Sequence, residues 1–493
     1  MRIPLERQQS TPLYQQIATY LRQSILTGGL PPETRLPATR QLAQDLGVSR
    51  ITVENAYATL ESEGLVARHV GSGTHVLQPG PLPSQRSRDI TDWPLWQHQA
   101  LFAARLAEGE DSLSLVQMGR RPHLISFTGF GDPQQFRVHE FYQAVKEVMR
   151  RDGHAALEFD DLRGYGPLRA TIAHVLASQG IQVHPDSVLI TSGSQQALGL
   201  MTQLLLKPGD AVVVESPSYD GALALFRAHQ LKLIGCPVDA CGMQVEQLEP
   251  LLQQQHPKLI YTIPHFQNPT GTSLSFPRRR HLVALADRYN IPILEDDFVG
   301  ELRYEGHTQP ALKALDPGGR VIYVGTFSKL LLPGLRVGFL VAEGPIFDLL
   351  ARQKWMHDLA TTTLTQRALE RYITVGRYQA QVRRLCLVYR QRRDAVVRAI
   401  RRHLPPGVQL LSPQGGLFVW VQLPKGISAV RLLPLAIEEG VEYAPGPRFF
   451  PQPTEGEDYL RLNFATQTPE AIDEGIRRLG RALQRLQVQV EQE

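Results

Sequence analysis

The feature that most constrains this chain is an alternation beginning near residue 124. Continuous apolar, β-rich runs (VLIT, AVVVE, LIYTIP, PILED, VIYVGTFS) take turns with helical stretches. Strands with no polar face are buried on both sides, so the pattern predicts an α/β body built on a mostly parallel sheet with helices over both faces. From about Tyr378 the pattern changes to long Arg-rich helices mixed with strands such as GGLFVWVQL and YLRLNFA, and predicts an α+β subdomain.

Ahead of that body the composition shifts once. QPGPLPSQRSR, near residues 78–90, gathers proline, glycine and polar residues and reads as a linker. The expected division is 1–78, a linker over 79–123, and 124–493. Within the linker LFAARLAEG could form one helix. In the first segment LYQQIATYLRQSIL sets Leu13, Ile17, Tyr20, Leu21 and Ile25 on one helical face. LPATRQLAQDLG predicts a short helix ended by Gly47, and Ser49 can cap a third helix that buries Val53, Ala56, Tyr57 and Leu60. Two helices joined by a tight glycine turn make a helix-turn-helix, and LVARHV-GSG-THVL adds a two-stranded wing.

Bulk composition decides little between partners. Lys+Arg 52 against Asp+Glu 48 leaves +4 over 493 residues, and residues 1–78 hold seven arginines, no lysine and six acids. Charge alone therefore does not announce nucleic acid. The cysteines, Cys236, Cys241 and Cys386, form neither a disulfide framework nor a C-x-x-C metal site, and are expected as free thiols in a reducing cytoplasm. No run of 18 apolar residues calls for a membrane span.

Placed residues say more. In a helix-turn-helix the N-terminal residues of the second helix meet base edges, here Ser49, Arg50 and Thr52, with Arg40 on the preceding helix within reach. Arg bonds guanine or phosphate in a bidentate fork, and Gly71 lets the wing backbone approach a groove. In the body, a strand runs into Gly325-Thr326-Phe327-Ser328-Lys329, and Arg336 follows seven residues later. A lysine amine can condense with an aldehyde, while the hydroxyls of Thr326 and Ser328 and a guanidinium suit a phosphate dianion. TSGSQQAL offers the amides of Gly193 and Ser194 at a helix N-terminus, with Ser194 and Gln195 as side-chain donors. Tyr219 could stack on a flat ring, Asn268 could donate to a phenolate, Asp296 could hold a pyridine nitrogen protonated, and Arg461 could clamp a carboxylate. Each has a plainer alternative: a helix cap, a core tyrosine, a turn asparagine, an aspartate paired with an arginine.

The run from Leu36 to Val76 resembles the GntR-type winged helix, which implies that Arg40, Ser49, Arg50, Thr52 and Gly71 face double-stranded DNA. The order of the body motifs resembles fold-type I pyridoxal phosphate (PLP) enzymes of the class I/II aminotransferase family over roughly residues 124–493. That resemblance implies PLP bound by Gly193, Ser194, Gln195, Tyr219, Asn268, Asp296, Thr326, Ser328 and Arg336 and linked to Lys329, with Arg461 toward a substrate carboxylate and no metal. Two positions depart from it. Phe298 and Phe159 stand where related proteins carry tyrosines, and each lacks the hydroxyl. The combination is similar to the MocR family of bacterial regulators. This implies a cytoplasmic, nucleoid-associated homodimer whose body senses PLP or an amino acid as an external aldimine. An aminotransferase that turns over while carrying a DNA-binding domain, and a scaffold without cofactor, are the competing readings.

Overall fold

The computed structural model describes residues 3–5, 12–26, 29–62, 64–69, 73–77, 124–129 and 131–492. Gly71, the tip of the wing and the whole 79–123 segment, with its expected helix, lie outside the described residues. The chain divides into two compact units, Met1–Leu101 and Phe102–Glu493, a boundary inside the segment read as linker.

In the first unit three helices, α1 (Leu13–Leu26), α2 (Thr39–Leu46) and α3 (Arg50–Ser62), precede β1 (Val66–His69) and β2 (Gly73–Val76). α2 ends where Gly47 turns left-handed at φ 62°, a conformation open to glycine at little cost. α3 starts at a capped end, because the Ser49 hydroxyl accepts from the Thr52 amide at 3.1 Å. Ile17, Leu21 and Ile25 of α1 pack with Val53, Ala56, Tyr57 and Leu60 of α3 in one core. Tyr20 departs from expectation: it is exposed, and Ala18 is buried in its stead. A large ring fits the rim of so small a core better than its centre. The strands pair antiparallel, Val66 opposite Val76, as a wing.

The second unit is organised by an eight-stranded sheet of β3 (Val188–Thr191), β4 (Ala211–Ser216), β5 (Lys232–Asp239), β6 (Gly242–Met243), β7 (Leu259–Thr262), β8 (Ile293–Asp297), β9 (Val321–Thr326) and β10 (Gly338–Val341). Their spatial order is β3-β10-β9-β8-β7-β4-β5-β6. The β9–β8, β8–β7, β7–β4 and β4–β5 pairs are parallel, whereas β10 runs antiparallel to β9 and β3. Neighbouring residues of one strand enter different cores. Val212, Val214, Leu259, Tyr261 and Leu294 join one cluster, and Val213, Ile260 and Ile293 another. That split is the two-sided burial the uninterrupted apolar runs call for.

A smaller antiparallel sheet, containing Phe418–Gln422 and Tyr459–Asn463, carries Arg461. Ile125–Ser126, at the start of the described body, pairs in parallel with Val441–Glu442 and so belongs to this C-terminal part. Among the described residues, no helix is long and apolar enough to cross a membrane.

Candidate functional site

The body residues singled out from sequence cluster at the carboxyl ends of the parallel strands, where open α/β sheets place their ligands. Ser192–Ser194 follow β3, Tyr219 follows β4, Asn268 follows β7, Asp296 stands next to last in β8 and Lys329 follows β9. Register explains part of this. Val324 of β9 lies opposite Asp296, and Tyr261 of β7 opposite Leu294, so Tyr261 and Asp296 are diagonal neighbours on one face.

Asp296 is buried, and its Oδ2 accepts from the Tyr261 hydroxyl at 2.9 Å. Its Oδ1 is buried without a partner among the described residues. Burial pushes this carboxyl up to about 7, against the pull of the Tyr261 donation, while the adjacent Asp297 pushes it further. Burial also lowers the Lys329 ammonium to about 7; Asp296 opposes that shift, and Arg336 and Arg461 add to it. A lysine so placed has a substantial neutral fraction near pH 7, the form that can act as a nucleophile. The Gly131 backbone packs on the Lys329 carbonyl, where a Cβ would stand 2.8 Å from the oxygen.

Helix α4 (Ser194–Leu205) begins after Gly193, whose φ of 108° disfavours any other residue; a Cβ there would lie 2.9 Å from Arg336 Nη2 and push that side chain aside. The exposed Arg336 donates to the Ser192 carbonyl at 2.5 Å. The turn is fixed from behind. The Ser192 amide donates to Gln196 Oε1 at 2.8 Å, Gln196 Nε2 donates to Asp358 at 2.9 Å, and the buried Lys354 holds Asp358 at 2.9 Å. The Ser194 and Gln195 amides at the start of α4 are thereby presented to an anion, while the Gln196 amide donates to the Gly193 carbonyl at 3.2 Å. Thr326 and Ser328 are buried, and the Thr326 hydroxyl accepts from the Ser328 amide at 3.2 Å, bracing the turn that carries Lys329. Gln195 is spent locally: it accepts from Tyr219 at 3.3 Å and donates to the Gly221 carbonyl at 3.2 Å, locking the Tyr219 ring.

On the opposite side, Arg461 donates to Asn268 Oδ1 at 2.8 Å, which leaves the Asn268 amide group free to face a ligand oxygen as a donor. The Arg461 guanidinium lies over the Phe418 and Phe449 rings, 4.2 and 4.7 Å from their centroids, and its Nε has no partner among the described residues. Burial lowers it to about 10. The Asn268 loop is rigid because the buried Glu215 accepts from Thr262, Ile263 and Gln267, and Gln267 in turn accepts from Thr270. Phe298 is buried and stacks on Phe418, whereas Phe159 stands 81% exposed.

Sequence reasoning missed Tyr261, Gln196, Lys354 and Asp358. Tyr261 was hidden inside an ordinary apolar strand, and Gln196 meets the Lys354–Asp358 pair across more than a hundred and fifty residues. In the winged unit Arg40, Ser49 and Arg50 are exposed at one helix-turn-helix edge and Thr52 is half-buried. Arg50 pairs with Glu54 at 2.7 Å on the helix surface, and Ser49 and Thr52 share a hydroxyl contact at 2.8 Å. Ile51, 66% exposed at the same end, is a further missed candidate, suited to a thymine methyl.

Residues 129–479 match the family described as aminotransferase class I and II, and residues 13–76 the bacterial regulatory proteins of the gntR family. The chain is 39% identical to the 2-aminoadipate transaminase of Thermus thermophilus, over 76% of this chain and 93% of that protein. It is 33% identical to the HTH-type transcriptional regulator TauR of Rhodobacter capsulatus, over 96% of both. Among solved structures it resembles LysN, the α-aminoadipate aminotransferase of Thermus thermophilus complexed with N-(5'-phosphopyridoxyl)-L-leucine. The TM-score is 0.74 at 36% identity, covering 80% of this chain and 99% of that one. Having a class I and II aminotransferase domain behind a GntR winged helix, and relatives with the same full-length arrangement, the chain belongs to the MocR family.

Proposed function

We propose that this protein is a cytoplasmic DNA-binding transcriptional regulator whose body holds PLP and responds to PLP or to an amino acid. The observation that carries the reading is the buried, unpartnered Oδ1 of Asp296 in the same pocket as Lys329, whose ammonium burial lowers to about 7. An orphaned carboxylate oxygen is costly unless a donor arrives, and a protonated pyridine nitrogen is such a donor. The residues present fit the cofactor. The start of α4 with Arg336 would take its phosphate, Asn268 its phenolate oxygen, Tyr219 one ring face, and Lys329 its aldehyde. Bound there, PLP supplies an aldehyde carbon for amines and an electron sink. The chain's own contribution is to ease deprotonation of Lys329, to aim the Asp296 carboxylate, with one oxygen held by Tyr261, at the ring nitrogen, and to offer the Arg461 fork to an α-carboxylate. The winged unit would contact DNA through Arg40, Ser49, Arg50 and Thr52, with Gly71 in the wing.

A homodimer belongs to this reading. Leu157, Phe159, Trp355 and Met356 are all more than half exposed, and such apolar groups suit burial against a second copy.

A decisive test is the visible absorbance of purified protein incubated with PLP. A lysine-linked cofactor band in the wild type that is lost in Lys329→Ala supports the reading, and absence of any band refutes it. One observation favours a second reading. Identity to aminotransferases and the retained Arg461 fit catalysis, so multiple turnover of an amino acid with a 2-oxo acid would make the protein an enzyme as well as a regulator.

A further inference from the structure

The longest helix of the body, α5 (Arg377–His403), contains nine arginines and a single acid, Asp394. Four of the nine serve the fold. Arg392 pairs with Asp132 at 2.9 Å, Arg393 with Glu305 and Asp394, Arg377 donates to the Glu140 carbonyl, and Arg384 to Gln135 and Gln381. The other five, Arg383, Arg390, Arg398, Arg401 and Arg402, are exposed. At about 100° per residue Arg383, Arg390, Arg398 and Arg401 fall within roughly an 80° sector, a solvent-facing stripe about 27 Å long at about 1.5 Å per residue. Asp394, the acid on that face, is already engaged by Arg393 at 2.7 Å. Arg390 reaches only a distant Glu305 at 3.8 Å, and Arg383, Arg398, Arg401 and Arg402 enter no ion pair among the described residues.

Two contrasts make the stripe more than ordinary surface. The C-terminal helix α6 (Pro469–Gln492) is also Arg-rich, yet Arg477, Arg478, Arg481 and Arg485 are each matched to Glu438, Glu439 or Glu474. Arg401 and Arg402 also answer the helix macrodipole in the last turn, but Arg383, Arg390 and Arg398 lie one turn or more from that end and have no such role. At the N-terminal end the stripe continues onto a surface groove lined by Arg137, Arg383 and Arg384, with Glu140 as its acid. Meanwhile residues 1–78 have seven arginines against six acids, little charge for a module meant to hold a polyanion.

We propose that the exposed arginine face of α5 is a second, sequence-independent DNA contact, taking the phosphate backbone while the winged unit reads bases. Guanidinium groups bind phosphate bidentately, and a straight row of them suits a duplex that presents one charge about every 1.7 Å. The inference rests on the reading that this chain binds DNA at all.

The test is a salt titration of the full-length protein on a mixed-sequence DNA duplex. It compares wild type with Arg383→Gln/Arg390→Gln/Arg398→Gln/Arg401→Gln and with the corresponding four-lysine variant. Each phosphate contact contributes about 0.9 to the slope of log K against log salt. The glutamine variant is expected to lose about 2–4 from that slope and at least about tenfold in affinity at low salt, with the lysine variant restoring most of the slope. An unchanged slope in a glutamine variant that still takes up PLP overturns the inference. So does loss of binding to anionic vesicles or RNA with DNA binding intact. Wild type that binds no duplex at any salt would refute the DNA-binding reading itself, a different result from a stripe that makes no difference.

Discussion

Asp296 reaches its task through Tyr261. A carboxylate that must stay charged in a buried site needs a donor on one oxygen while the other faces the ligand, and Tyr261 supplies it at 2.9 Å. Tyr261→Phe removes one hydrogen bond to a charged group, worth about 1.5–3 kcal/mol, so PLP affinity is expected to fall at least about tenfold. The pH at which the bound cofactor's visible band titrates should shift as well, because the charge held by Asp296 tunes it. An absorbance titration with unchanged affinity and unchanged band pH would show that Tyr261 is only core filling. Direction follows from the sign of the coupling: without the phenol donor Asp296 holds its proton to higher pH and pairs less well with a ring cation.

At the scale of elements, local signals were legible and distant ones were not. Alternating apolar runs gave the sheet because a doubly covered strand has no polar residue to spare, and Ser49, Gly47 and Gly193 marked helix ends because each solves a local backbone problem. Tyr261 read as one more strand residue, and the brace behind the α4 turn depends on Gln196 reaching Asp358, a contact between distant parts of the chain that no local pattern connects. Tyr20 failed for a related reason: helical periodicity gives a face but not how deep its edge lies. The Ser49 cap gives the element-scale prediction. Its hydroxyl satisfies the Thr52 amide, so Ser49→Ala should cost α3 about 1 kcal/mol, or about fivefold in hydrogen-exchange protection of its first turn. Equal protection in the two proteins would show that the cap carries no weight. Because the same serine stands at the proposed base-reading end, exchange measured without DNA separates the structural loss from a contact loss.

For the whole molecule, a winged unit and a cofactor-binding body in one chain become a regulator only if ligand binding in one changes the other. Two compact units joined through the 79–123 segment do not guarantee this, since a ligand with equal affinity for every arrangement shifts none of them. Linkage supplies a strict criterion. If PLP or an amino acid changes DNA affinity by some factor, DNA must change the affinity for that ligand by the same factor, and a tenfold effect equals about 1.4 kcal/mol of coupling. We expect such reciprocity in the wild type, measured by anisotropy of labelled DNA in one direction and by cofactor absorbance in the other. Asp296→Ala should abolish both arms of the coupling while leaving the affinity of the cofactor-free protein for DNA unchanged, because Asp296 lies in the body and touches only Tyr261 and its pocket. If DNA affinity falls together with cofactor binding in that variant, the substitution has unfolded the body rather than uncoupled it. If the wild type binds both ligands with a coupling factor of one, the two units share a chain without communicating, and the regulatory reading fails even though each site works.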